Sequence, residues 1–84
     1  MSSDDNRAME IFIKCSEKTR TLSVTGATTV WQVKVKLYQA GFDVPPHQQR
    51  LVYAGKNMLD DDTLDKYKIE SCSTLQVFTR MCGD

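Results

Sequence analysis

From Met9 to Cys15 the chain alternates: Met9, Ile11, Ile13 and Cys15 are separated by Glu10, Phe12 and Lys14, the period of a half-buried strand with Phe12 on its outer face. The polar link Ser16-Glu17-Lys18 is short enough for a hairpin into a second strand over Thr19–Thr25, whose Leu22 and Val24 point inward. Arg20 falls on that inward face and fits at its rim, with the stem packed and the head in water. Thr29 followed by Gln32 is a capping-box pattern, after which Val30, Val33 and Leu37 recur at helical spacing until Gly41 closes a short amphipathic helix. Lys34 lies in that apolar stripe, where an unpaired ammonium is costly, so it either snorkels to water or meets a carboxylate.

After Pro45-Pro46, the run Arg50–Ala54 reads as one short strand ended by the turn chemistry of Ala54-Gly55-Lys56. Leu51 and Tyr53 share one face and Arg50 and Val52 the other, so Val52 faces water if Leu51 is inward. Lys56-Asn57-Met58 reads as a brief edge strand with Met58 inward, followed by an exposed Leu59. Asp60-Asp61-Asp62 is a solvated turn; it lacks the glycine at position six and the distal glutamate of a calcium loop, so no metal site is expected. Thr63–Tyr67 reads as one capped helical turn, Tyr67 as a structural phenol and Ile69 as a core plug. In the final strand, Thr74–Arg80, Leu75 and Val77 face in while Gln76 and Phe78 face out. Local pattern alone gives an α+β class.

Composition narrows the chemistry. Eighty-four residues make one domain, and eleven basic against eleven acidic side chains leave no net field to favour nucleic acid or an anionic membrane as partner. Residues 1–8 are polar and read as a disordered lead-in, not a signal peptide, and no run approaches the roughly 18 apolar residues of a membrane span. Three cysteines, Cys15, Cys72 and Cys82, show neither Cys-x-x-Cys spacing nor histidines nearby, which points to a reducing compartment, cytoplasm or nucleus. His47, the single histidine, follows Pro46 in a loop and no cysteine has a derivable histidine partner, so neither catalytic residues nor a cofactor are expected.

Pro45-Pro46-His47-Gln48-Gln49-Arg50-Leu51-Val52-Tyr53-Ala54-Gly55-Lys56 matches, at every position, the Pro-Pro-x-Gln-Gln-Arg-Leu-aliphatic-aromatic-Ala-Gly-Lys segment at the centre of ubiquitin. The likeness runs from Met9 to Gly83 and includes Met9–Lys14 and Ser73-Thr74-Leu75, so the chain resembles the ubiquitin family. That resemblance implies a β-grasp fold, a mixed sheet of four to five strands packed on one helix. The domain would span 9–80, with a flexible tail at 81–84. It also implies that Asp60 is the partner of Lys34.

Because the β-grasp makes the two outward-facing strands neighbours, the resemblance joins Val52 and Phe78 into one patch with Gly55 and Gln76, rimmed by Arg50, Lys56 and Arg80. The family's patch receives short helices and small modules of receptor proteins. Departures are visible: the shortened first link offers only Cys15 and Ser16 where ubiquitin has a leucine, Phe78 and Gln76 replace valine and histidine, and Asp61 replaces a glycine, its backbone tolerance of the left-handed region keeping the turn. Lys14, Lys18, Lys34, Lys36 and Lys56 match lysines on which ubiquitin chains are built, Lys56 being the most accessible candidate for modification.

Two functions follow from the resemblance. One is a non-catalytic interaction module, a monomer and a domain of a larger protein, whose partners carry ubiquitin-binding helices or small modules and include the proteasome or ubiquitin-pathway enzymes. The alternative is a covalent modifier, or a fusion precursor processed near Gly83. Arg80-Met81-Cys82-Gly83-Asp84 lacks the paired glycines of a conjugated tail, which favours the module.

Overall fold

The alternation of Met9 to Cys15 becomes a strand in the interior of the sheet, paired on both sides. In the computed structural model, which describes residues 8–15 and 18–79, β1 (Met9–Cys15) pairs antiparallel with β2 (Lys18–Val24), Met9 opposite Val24 and Ile13 opposite Arg20. β2 starts and ends one residue earlier than its pattern predicts, because the ladder continues to the Cys15–Lys18 pair beside the link.

Helix α1 (Val30–Gln39) begins on a complete capping box: the Gln32 N–H donates to Thr29 Oγ1 at 3.2 Å and the Thr29 N–H donates to Gln32 Oε1 at 2.9 Å. Two further N–H groups at this end find carbonyls in the acidic turn, Val30 on Asp62 and Trp31 on Asp60. Ala40 caps the other end, and Gly41 follows at a φ of 109° that a side chain would resist.

Pro46 opens a single 3-10 turn, Pro46–Gln48, where a missing N–H goes unnoticed. Strand β3 is Gln49–Tyr53, not Arg50–Ala54. The shift has a backbone cause: Ala54 and Gly55 both take positive φ, 54° and 81°, forming the two-residue turn that matches the twist of the hairpin into β4 (Lys56–Asn57). Met58 lies past the end of β4 and is buried, and Leu59 is exposed, as the pattern predicts.

No aspartate of the acidic turn is left-handed, so the tolerance expected of Asp61 is not called on. Among the described residues other than glycine, only Ala54, Lys68 and Cys72 have positive φ. Thr63 makes no side-chain cap on the following 3-10 turn, Leu64–Tyr67; it bridges to Thr29, and Lys68 at φ 58° terminates the turn.

Strand β5 (Thr74–Thr79) lies between β1, to which it is parallel, and β3, to which it is antiparallel, so the sheet order is β2-β1-β5-β3-β4. This mixed five-stranded sheet against one helix is the β-grasp that the resemblance implies. Ile11, Ile13, Leu51 and Leu75 from the sheet meet Val30, Val33 and Leu37 from α1 in a core that excludes water from all seven.

Candidate functional site

The register of β3 against β5 decides what sits together on the sheet's outer face. Arg50 stands opposite Phe78 and Val52 opposite Gln76, so Val52 and Phe78 are diagonal neighbours on the side away from α1. Their chain neighbours Leu51 and Val77 point the other way and are buried. Phe78 is 49% exposed, whereas Val52 is half-buried, less open than alternation alone suggests.

The rim is partly held in place. Arg50 Nε donates to Asn57 Oδ1 at 2.9 Å, tying the guanidinium across the β3–β4 hairpin. Gly55 and Lys56 are exposed at the hairpin tip, and a Cβ added to Gly55 would meet no atom within 4 Å, so the positive φ and not crowding asks for glycine there. Gln76 continues onto β1, where Lys14 is its partner, and Phe12 is half-buried further along the same face. Arg80, Ser16, Cys82 and Gly83 lie outside the described residues.

Cys15 does not belong to this patch. It is buried on the inner face, its Sγ 3.6 Å from Ile13 O, and burial pushes its thiol above the usual range. Cys72 is free and exposed.

Beside the patch, a cleft of about 540 Å³ opens between the end of the sheet and the loop after α1. Among the described residues, Lys14, Lys18, Arg20 and Asp43 are the charged side chains that line it, and Phe42 and Phe78 supply its apolar wall. Arg20 is partly buried, and its head does not simply enter water: Nη1 donates to Ala40 O at 3.2 Å, at the negative end of α1. The cleft thus offers positive charge next to exposed aromatic surface.

Two buried polar groups shape the opposite side. Lys34 pairs with Asp60, its Nζ 2.5 Å from Oδ1, which settles the choice between pairing and snorkelling. Gln49 is fully buried, with Nε2 donating to Lys34 O at 2.9 Å and Val44 O at 3.0 Å, so it fastens α1 and its following loop to β3. Sequence reasoning missed Gln49 because it is polar, although stepping back two residues from Leu51 places it on the inward face. Tyr67 is structural: its hydroxyl accepts from the Leu59 N–H at 3.0 Å and donates to Asp62 Oδ2 at 2.7 Å.

Among the described residues, no three His, Cys, Asp or Glu side chains are grouped to hold a metal ion, and no helix is long and apolar enough to cross a membrane. His47 is exposed at the 3-10 turn.

Comparison with known proteins adds a family to the topology. The model of the "Ubiquitin family" matches residues 11–82. Ubiquitin domain-containing proteins DSK2b and DSK2a of Arabidopsis thaliana are 31% and 30% identical over 75 and 70 residues, 89% and 83% of this chain but 14% and 13% of theirs. Ubiquitin-like protein 1 of Schizosaccharomyces pombe is 45% identical over 40 residues, 48% of this chain and 51% of its own length. The chain therefore spans at most about half the length of these relatives. With the family model covering most of its length and the β-grasp topology in place, the chain belongs to the ubiquitin family.

Proposed function

We propose that the chain is a non-catalytic interaction module that binds partner proteins through the outer face of β3 and β5. Val52 and Phe78 form the apolar centre, Gln76 and Gly55 its floor and edge, and Arg50 and Lys56 a basic rim; Arg80, outside the described residues, is proposed as a further partner-binding residue. The observation that carries this reading is the β3–β5 register, which sets a solvent-facing phenylalanine diagonal to Val52 and directly opposite Arg50. A contiguous apolar centre with a charged rim suits weak, transient contacts that bury less than about 1,200 Å² in total. The three cations of the adjoining cleft favour partners that carry carboxylates beside their apolar anchors.

The relatives DSK2b and DSK2a are longer proteins named as ubiquitin domain-containing, which supports reading the chain as a module, its domain proposed at 9–80, of a larger protein of the ubiquitin pathway. Proteasome subunits and ubiquitin-pathway enzymes are the partners proposed, in the cytoplasm or nucleus. Lys56, exposed at the hairpin tip, is the proposed acceptor if the domain is itself modified.

Titration with short ubiquitin-binding helices, followed by backbone NMR, tests the site. Movement of Val52, Gly55, Gln76 and Phe78, lost in the Val52→Ala/Phe78→Ala double variant, is the expected result. Unmoved resonances at these four residues, or a double variant that keeps all binding, would refute it. Incubation with ATP and ubiquitin-family activating enzymes separates the module from a modifier: a thioester formed by the unaltered chain makes it a modifier.

A further inference from the structure

The cleft beside the patch joins aromatic surface to positive charge. Cys15 and Val77, both buried, reach it from the core side, and Phe42 and Phe78 each show it a ring that is partly packed and partly open to water. Its volume of about 540 Å³ lies within the range of about 300–1,000 Å³ typical of sites that enclose a compact ligand.

Charge is spread unevenly around these rings. Lys14 of β1 and Lys18 and Arg20 of β2 line the cleft, Asp43 lines it from the loop after α1, and β5 contributes the uncharged Gln76 and Thr79. Neither ion pair among the described residues includes Lys14, Lys18 or Asp43. Arg20 is answered in part by the carbonyl end of α1, where Nη1 donates to Ala40 O at 3.2 Å, and its Nη2 lies beside Gly41, which has no side chain to cover it. Arg50, opposite Phe78 and tied to Asn57, adds positive charge on the β3 side. Two charged residues adjoin the lining in sequence and lie outside the described residues, Glu17 and Arg80, and they are of opposite sign. The balance is therefore positive on the β1–β2 side, with the acid on the loop side.

We propose that this cleft receives an aromatic side chain of a partner protein, with a carboxylate on the residue next to it. An aromatic ring makes edge-to-face contact with Phe42 and Phe78, and its face also attracts cations, which an aliphatic side chain does not do. The neighbouring carboxylate meets Lys14, Lys18 and the held guanidinium of Arg20, and Asp43 turns it away from the loop. The proposal deepens the reading of the outer face as a partner surface and rests on it, because Gln76 and Phe78 border both patch and cleft. A second copy of the chain does not supply this pair: an aromatic and an acid are sequence neighbours only at Phe42-Asp43, which line the cleft themselves.

The probes are four blocked tetrapeptides with glycine at both ends and Glu-Phe, Glu-Ala, Lys-Phe or Lys-Ala in the middle, titrated by backbone NMR beside a separate titration with a ubiquitin-binding helix. The Glu-Phe peptide is expected to move the amides of Lys18, Gly41, Phe42 and Thr79 and to bind at least about fivefold more tightly than each of the others. Lys14→Glu/Lys18→Glu, at two exposed positions, reverses the preference between Glu-Phe and Lys-Phe. No response to about 5 mM Glu-Phe peptide overturns the proposal. So does equal binding of Glu-Ala, which marks a site for any anion, or of Lys-Phe, which marks an apolar groove indifferent to charge. Shifts that follow protein concentration alone, marking self-association, overturn it as well. The helix separates the two readings: if it moves Val52 and Gly55 while the cleft stays silent to Glu-Phe, the patch stands and the cleft proposal falls, whereas a cleft that answers Glu-Phe beside an unmoved Val52 refutes the patch and, with it, the partner surface on which the cleft proposal rests.

Discussion

Lys34 Nζ lies 2.5 Å from Asp60 Oδ1, and the two ends of this pair have different surroundings: the lysine side chain is 7% exposed and the aspartate 47%. Only one end therefore depends on the other. Asp60→Ala leaves an ammonium among apolar neighbours and is expected to cost about 1–3 kcal/mol, less than for a fully buried pair because water reaches the acid. Lys34→Met keeps the packed stem and leaves a carboxylate that water solvates, so its cost should stay below about 1 kcal/mol. Urea midpoints of the two variants check the asymmetry; equal losses would show that the pair is not divided in this way.

Tyr67 links stability to pH. Its hydroxyl, and to a lesser degree Lys66 at 3.2 Å, holds the Asp62 carboxyl below the usual carboxylate range, while burial pushes the Tyr67 phenol up. A depressed folded value means that the stabilisation is fully present above the unfolded value of about 3.9 and is lost as pH falls through the lower folded value. Tyr67→Phe should raise the Asp62 titration midpoint, read by carboxyl NMR, and flatten the acid loss of stability in that window. At neutral pH it also removes the acceptor of the Leu59 N–H, at about 0.5–1.5 kcal/mol.

Strands and helix were legible because each buries one face, and burial imposes a period of two on Met9–Cys15 and of 3.6 on Val30, Val33 and Leu37. Element ends were less so, since they depend on the partner: β2 reaches back to Lys18 because Cys15 is there to pair with it, and β3 stops at Tyr53 because the next two residues turn left-handed. The outward placing of Val52 and Phe78 could be read from alternation, but their adjacency could not, because register is a property of two strands. Trp31 and Tyr38 stand exposed on α1; their helical spacing is in the sequence, but it is passed over when only the residues that fill the core are followed.

The hairpin after β3 has room for improvement. Ala54 occupies the first central position at φ 54°, where a Cβ is strained by roughly 1 kcal/mol and asparagine is better tolerated. Ala54→Asn should therefore stabilise the protein by about 0.5–1 kcal/mol, seen as a higher melting temperature with an unchanged β3–β4 register. A neutral or lower melting temperature would mean that the turn relaxes in solution out of the left-handed region.

Phe78 gives the sharpest separation of binding from folding. It stands opposite Arg50 with half its surface in water, while Leu51, one residue along β3 on the other face, is fully buried. Leu51→Ala opens a cavity in the core and should cost about 2–5 kcal/mol. Phe78→Ala removes no core contact, so its effect on the urea midpoint should stay within about 0.5 kcal/mol, set mainly by the lost cover over Val52. If the patch is the partner surface, the same change should weaken binding of a ubiquitin-binding helix by at least about tenfold, since truncating a central aromatic commonly costs more than about 1.4 kcal/mol. A Phe78→Ala protein that unfolds more easily yet binds as before would assign Phe78 to the fold and leave the outer face of β3 and β5 without a recognition role.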